Sequence, residues 1–167
     1  MRFRFALLPM LVLFAGHAFA TDPPVSTAAS AYDPVLAAQA GGDENGMRSY
    51  VLVILRTGPT RVPDGEARNA MFAGHMANIR RLSDEGKLVL AGPFGDKDGD
   101  WRGLFVFAVA DIEEAKALVA SDPVIIQGEM VAEYHSWYGT AATVLLPGLH
   151  QRILRSPRRS MRGSRCS

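Results

Sequence analysis

The run Tyr50-Val51-Leu52-Val53-Ile54-Leu55-Arg56, closed by Thr57-Gly58-Pro59, governs the reading of the whole chain. It is apolar and rich in β-branched side chains, which suit a pleated surface, and Gly-Pro behind it signals a turn, so it reads as a strand. Asp64 then precedes the stretch Glu66 to Glu85, where Phe72, His75, Met76, Ile79, Leu82 and Ser83 recur at helical spacing until Gly86 stops the pattern. Lys87 to Ala91 predicts a second strand. Gly92 to Arg102 reads as a Gly/Asp-rich connection, and Gly103 to Ala110, with its apolar run Leu104 to Val109, completes a hairpin. Asp111 is placed to cap a second helix, with Glu113 and Glu114 in its first turn, Ala115, Leu118 and Val119 on one face, and Asp122-Pro123 at its end. Glu129 to Tyr138 supplies the last strand.

The order is therefore βαββαβ, which predicts an α+β, ferredoxin-like domain over residues 49–140, a four-stranded antiparallel sheet with both helices on one face. Two helices cover only one side of a sheet, so the other side should be polar in a monomer. The sequence says otherwise. Tyr50, Leu52 and Ile54 alternate with Val51, Val53 and Leu55, while Leu104, Val106 and Ala108 alternate with Phe105, Phe107 and Val109, so both faces are apolar. A second apolar face exceeds the few hundred Å² that a soluble monomer usually exposes, which predicts a homodimer joined sheet to sheet.

Outside the domain, Arg2 and Arg4 precede the apolar run Phe5 to Ala15, and Ala18-Phe19-Ala20 offers the small residues that signal peptidase accepts. Residues 1–20 thus read as a cleavable signal peptide and the address as periplasmic or secreted. The run is too short for a stable membrane anchor. Residues 21–48, rich in Ala, Gly, Pro and Asp, read as a flexible linker in which Val35 to Ala40 could form one helical turn. Residues 141–167 read as a basic, disordered tail.

Charge follows the same division. The 167-residue chain has 18 Lys+Arg against 17 Asp+Glu; losing Arg2 and Arg4 leaves 16 against 17, a net of −1. Arg152, Arg155, Arg158, Arg159, Arg162 and Arg165 sit in the tail, so residues 21–149 hold 10 cations against 17 carboxylates, a net of −7. A basic arm can bind nucleic acid or acidic lipid, but for a protein read as secreted no nucleic-acid partner is expected. The single cysteine, Cys166, excludes an intrachain disulfide and multi-cysteine metal spacings.

His75 is the first chemical candidate, since its spacing from Phe72 and Ile79 puts an imidazole on the core-facing side of the first helix. Such a histidine is ordinarily a packed residue with one hydrogen bond. Asp122 changes the prospect, because the two helices lie side by side in this fold and a carboxylate directly after the second could reach the first. A carboxylate on one imidazole nitrogen fixes the tautomer and stabilises the charged ring, leaving the other nitrogen to move a proton near neutral pH. The ordinary alternative for Asp122 is a turn residue before proline.

His75 on the first helix, Gly86 with Lys87-Leu88-Val89-Leu90-Ala91-Gly92-Pro93, Glu114-Ala115, Ser121-Asp122-Pro123 with Gly128, and His135-Ser136-Trp137 together resemble the YciI-like (YCII-related) family. The resemblance spans about Tyr50 to Tyr138. It implies a dimeric α+β barrel of ferredoxin-like subunits and a His–Asp active-site pair, which falls on His75 and Asp122. One type of relative removes chloride from a chlorinated hydroxyquinol, and muconolactone isomerases share the wider fold. Ser136 departs from the proline common before the terminal tryptophan, and the secretion signal departs from a mostly cytoplasmic family.

Gly92 and Pro93 permit close backbone approach and are candidates to line a substrate pocket, as are His135 and Trp137 on the last strand, though a turn and a cross-strand pair need the same residues. Gly58 to Gly65 reads either as a lid or as a plain connection. Asp96-Lys97-Asp98-Gly99-Asp100 resembles the start of a calcium loop, but Trp101 and Phe107 stand where that loop needs Gly and Glu. His75 and His135 lack a further ligand at metal-site spacing, so no metal is expected. No Ser or Cys nucleophile motif and no phosphate-binding glycine loop is present, so no cofactor is expected either. The sequence thus points to an acid/base enzyme, isomerase or lyase in type, acting on a small cyclic or aromatic molecule. The rival is a non-catalytic small-molecule-binding or dimer-scaffold protein.

Overall fold

The computed structural model describes residues 32–95 and 99–155; the expected signal peptide, Asp96 to Asp98 of the calcium-like stretch and the arginines beyond 155 lie outside the described residues. The elements are α1 (Pro34–Ala40), β1 (Met47–Thr57), α2 (Glu66–Asp84), β2 (Leu88–Pro93), β3 (Trp101–Phe107), α3 (Ile112–Val119), α4 (Pro123–Ile126), β4 (Met130–Thr140), a 3₁₀ turn (Ala141–Leu145) and α5 (Leu146–Ile153). The sheet order is β2-β3-β1-β4 with every neighbour antiparallel, which is the α+β, ferredoxin-like arrangement.

The central strand organises the core. Its inner residues Val51, Val53 and Leu55 are buried with Phe105 and Phe107 of β3 beneath Met71 and Leu82 of α2 and Ala115 and Val119 of α3. Fully burying such a side chain contributes about 1.5–3 kcal/mol. On β2, Leu88 pairs with Phe107 and Leu90 with Val106, so Val89 is an extra bulge residue and packs with Tyr50 and Val106 on the outer face. β3 starts at Trp101 and ends at Phe107, earlier than the apolar run suggested, because Trp101 already pairs with Arg56 of β1.

Cap signals divide. Asp111 caps α3 by accepting the Glu114 amide at 2.9 Å, whereas Asp64 does not cap α2: Gly65 takes that place, and Asp64 pairs with Arg61 and Arg68. Asp122 accepts the Val124 amide and starts α4 with Pro123 at the first helical position. Asp-Pro, read as a stop, is also a start.

Two further expectations change. Within the region expected as linker, Asp33 caps α1 and Gly41 (φ 64°) closes it in the left-handed conformation. The expected disordered tail begins as folded chain: the 3₁₀ turn and α5 run back across the outer face, with Val144 packed on Tyr50, Val89 and Val106. The Tyr50 hydroxyl donates to the Thr140 carbonyl at 2.8 Å and helps fix the turn. The outer face is therefore covered in part by this chain itself. Leu90, Leu149 and Ile153 remain exposed beside it.

Candidate active site

His75 and Asp122 meet. His75 Nδ1 lies 2.9 Å from Asp122 Oδ1 and 2.8 Å from Oδ2, with His75 9% and Asp122 1% exposed. Two local features bring them together. Helix α4 projects the Asp122 carboxylate from its N-cap toward α2, and Gly74 lets α4 approach, since a Cβ there would stand 2.9 Å from Pro123 Cγ.

The carboxylate is fully engaged, taking also the Asn78 side-chain amide at 3.2 Å and the Val124 backbone N–H at 3.1 Å. Asn78 has its orientation fixed by Arg81, which donates to Asn78 Oδ1 at 2.7 Å; arginine has no acceptor, so the NH₂ must face Asp122. Burial pushes the Asp122 carboxyl up, but the hydrogen bond and charge of His75, with Asn78 and the Val124 amide, outweigh it and hold the group below its usual value. An ionised carboxylate only accepts, so Nδ1 carries a proton, and a ring that takes or gives a proton does so at Nε2.

Nε2 has no hydrogen-bond partner among the described residues, and among them no buried side-chain nitrogen or oxygen lacks one, so Nε2 is open to the neighbouring cavity. That cavity, about 410 Å³, lies between α2 and the inner ends of β2 and β3 and includes His75, Gly92, Pro93 and Arg102 in its lining. Phe105 stacks on the imidazole at 6.0 Å between centroids, and Phe72 meets it edge-on at 6.3 Å. A reactive nitrogen on aromatic walls and a buried counter-charge can accept, hold and return a proton.

Of the residues singled out from sequence, the structure gathers His75, Asp122, Gly92 and Pro93 but not His135 and Trp137. The β4 register pairs Leu52 with His135 and Tyr50 with Trp137, so both project from the outer face, away from the cavity. His135 Nε2 bonds Glu133 at 2.9 Å, and Trp137 packs 5.4 Å from Tyr50 and lines a separate depression of about 560 Å³ beside Asp111. The sheet between them also prevents His75 and His135 from sharing a metal.

The stretch Gly58 to Gly65 is pinned rather than free to open. Gly58 and Thr60 donate backbone hydrogen bonds to Glu129 and Gly128, and the Val62 N–H reaches Glu129 Oε2 at 2.8 Å. Arg68 grips the same carboxylate in a two-pronged contact at 2.7 and 2.8 Å. That contact, above all, holds the Glu129 carboxyl below its usual value against burial, with smaller help from Val62 and Arg102.

Sequence reasoning missed Asn78, Gly74 and Arg102. Asn78 had a signal, standing one turn beyond His75 on the same helix face. Gly74, a glycine inside a long helix and next to the candidate histidine, had one too. Arg102 had none, lying in what read as a polar connection.

The family model described as the YCII-related domain matches residues 49–137, more than half the chain. The uncharacterized protein YjpA of Bacillus subtilis (strain 168) is 28% identical over 91 residues, covering 54% of this chain and 95% of YjpA. Among solved structures, a 5-chloro-2-hydroxyhydroquinone dehydrochlorinase from Burkholderia phenoliruptrix AC1100, in complex with 2,5-dihydroxybenzoquinone, aligns with 21% identity and a TM-score of 0.38 over 52% of this chain and 92% of that one. The match over residues 49–137, the span of the sheet and the helices that carry His75 and Asp122, places this chain in the YCII-related domain family.

Proposed function

We propose that this protein is a cofactor-independent acid/base enzyme, isomerase or lyase in type, that works on a small cyclic or aromatic molecule. One observation carries the reading: His75 is tied through Nδ1 to a buried, ionised Asp122 while Nε2 opens on an apolar cavity. In this mechanism Nε2 takes a proton from a substrate carbon made acidic by a neighbouring carbonyl. Asp122 stabilises the imidazolium so formed, and the burial of the pair strengthens that attraction. Return of the proton to another atom gives isomerisation; departure of a group from the adjacent carbon, with the proton later lost to water, gives elimination.

The test is solvent-deuterium exchange, followed by NMR, at carbon acids in a panel of cyclic ketones and lactones. His75→Ala should slow any exchange the wild type catalyses by roughly 10² to 10⁴, the usual contribution of a general acid/base group. A folded His75→Ala variant that matches the wild type ends the catalytic reading.

A second reading, a binding or scaffold protein in which the pair only joins α2 to α4, draws support from the low exposure of His75. It predicts loss of stability on mutation without any rate to lose. The proposal further places the protein outside the cytoplasm, on the strength of the Arg2/Arg4 and Phe5 to Ala15 pattern, and makes it a homodimer through the exposed Leu90, Leu149 and Ile153. Fractionation of tagged protein checks the first. Light scattering at micromolar concentration checks the second, a monomer counting against it.

A further inference from the structure

The cavity beside His75 has aromatic and aliphatic walls, among them Leu55, Phe72, Phe94, Phe105 and Met130, yet among the described residues its lining also includes the guanidinium-bearing Arg102. Arg102 is half-buried on β3. A guanidinium among apolar side chains has few waters to solvate it and gains most from an oxyanion it can grip with two N–H groups.

Among the described residues, the carboxylates of the neighbouring elements are committed to other partners. Asp100 bonds Arg56, and Glu133 is shared between Arg56 and His135. Glu129, whose carboxyl feels the Arg102 charge, already takes both prongs of Arg68 at 2.7 and 2.8 Å and the Val62 amide at 2.8 Å. Among the described residues Arg102 forms no ion pair and remains available to a guest.

The cavity that Arg102 and His75 both line sets the guest's shape. Phe105, stacked on the His75 ring, and Phe72, edge-on to it, form flat walls beside the imidazole. A planar ring carrying an oxyanion at one edge fits against these walls and presents its charge to the arginine. The aromatic walls favour the planar body over a flexible chain.

We propose that Arg102 is the anion-binding group of this cavity, and that the molecule held there is a flat cyclic oxyanion, a carboxylate or a phenolate, with its ring directed at His75 Nε2. The inference deepens the acid/base reading by naming the substrate class, but anion capture does not depend on whether His75 is catalytic.

Titration calorimetry and amide NMR on the full chain test it, with benzoate, salicylate and 4-nitrophenolate as probes and benzamide as a neutral ring of matched shape. The anions should bind more tightly than benzamide and shift the amides of Phe105 and Gly92. Arg102→Gln should weaken anion binding roughly ten- to a hundred-fold, the range for a lost charge-assisted hydrogen bond, with benzamide unaffected. Arg102→Lys should recover part of that loss, which separates lost charge from damaged folding. Equal anion affinity in Arg102→Gln and wild type overturns the proposal, as does a wild type that shows no preference for anions over benzamide. Arg102-dependent binding in a protein that exchanges no carbon-bound proton would sink the acid/base reading alone.

Discussion

Replacing Asp122 by Asn preserves the shape of the side chain and removes both its charge and one acceptor oxygen. The two carboxylate oxygens serve three donors: Oδ1 takes the Val124 amide at 3.1 Å, Oδ2 takes Asn78 at 3.2 Å, and both face His75 Nδ1. An amide offers one oxygen. Set at the Oδ1 position it keeps the α4 cap and turns its NH₂ toward the Asn78 NH₂, which Arg81 prevents from flipping; set at Oδ2 it confronts the Val124 N–H instead. Either way one buried donor is left unpaired, at about 1–3 kcal/mol. Urea unfolding at pH 7 should therefore show Asp122→Asn destabilised by that amount. Turnover should fall as well, because the charge that stabilises the imidazolium during proton transfer is gone while the ring stays in place. A factor of ten in rate corresponds to about 1.4 kcal/mol of barrier, so a loss of a hundred-fold or more, measured by deuterium exchange below the unfolding range, is the expected result. An Asn variant as stable as wild type would refute the account of Asp122 as a saturated acceptor. One that is destabilised but fully active would refute its role in proton transfer.

Gly74→Ala should slow turnover and lower stability: the helix gains about 0.5–1 kcal/mol from losing a glycine, crowding Pro123 costs about 1–3 kcal/mol, and the displaced α4 carries Asp122 off His75. Melting temperature and exchange rate, measured together, check it; an unchanged rate would show that the α2–α4 spacing does not set the pair. Stability should decline on acidification, because Asp122 and Glu129 both hold their protons less tightly folded than their ordinary values of 3.8 and 4.5. The unfolded chain then binds more protons in acid, so the stabilisation is full above the ordinary carboxylate range and disappears as pH falls through the lower folded values. A urea midpoint constant from pH 7 to pH 3 would contradict this. Truncation after Thr140 should uncover Tyr50, Val89 and Val106 and raise the fluorescence of a hydrophobic dye such as ANS; a shortened protein that remains dye-silent would mean that the C-terminal segment does not cover the face.

The βαββαβ order was legible because each element carries its own local signal. The β-branched apolar run of β1 with Gly-Pro behind it, the long helical stripe before Gly86 and the Asp111 cap do not depend on distant chain. The pairing of His75 with Asp122 was half legible. The fold brings the two helices side by side, but contact also needs the close approach at Gly74 and the short α4 that begins where the longer helix signal ends. His135 and Trp137 were misplaced by the reverse effect: they look like neighbours of the site along the sequence, yet a strand sends alternate residues to opposite faces, and their parity puts them with Leu52 and Tyr50. The coverage of the outer face was hidden because the arginines after residue 150 dominate the composition of the tail, while Ala141, Thr143 and Val144, just after the last strand, are what pack it down.

Asp122 serves two structures at once, and this constrains how the site can vary. As N-cap it starts α4 through the Val124 amide; as hydrogen-bond acceptor it orients His75 and is held in turn by Asn78. A glutamate would reach the imidazole with an extra methylene but would lose the short cap geometry that Asp provides. A serine or threonine would keep the cap and lose the charge. Only a residue that is short, anionic and compatible with a following proline satisfies both demands, so Asp122→Glu and Asp122→Ser should fail in different ways. The glutamate should lose α4 order, read as faster amide exchange at Val124, whereas the serine should keep α4 and lose proton transfer. If both variants kept both properties, the helix cap and the imidazole contact would be independent, and the arrangement at the end of α3 would owe nothing to chemistry at His75.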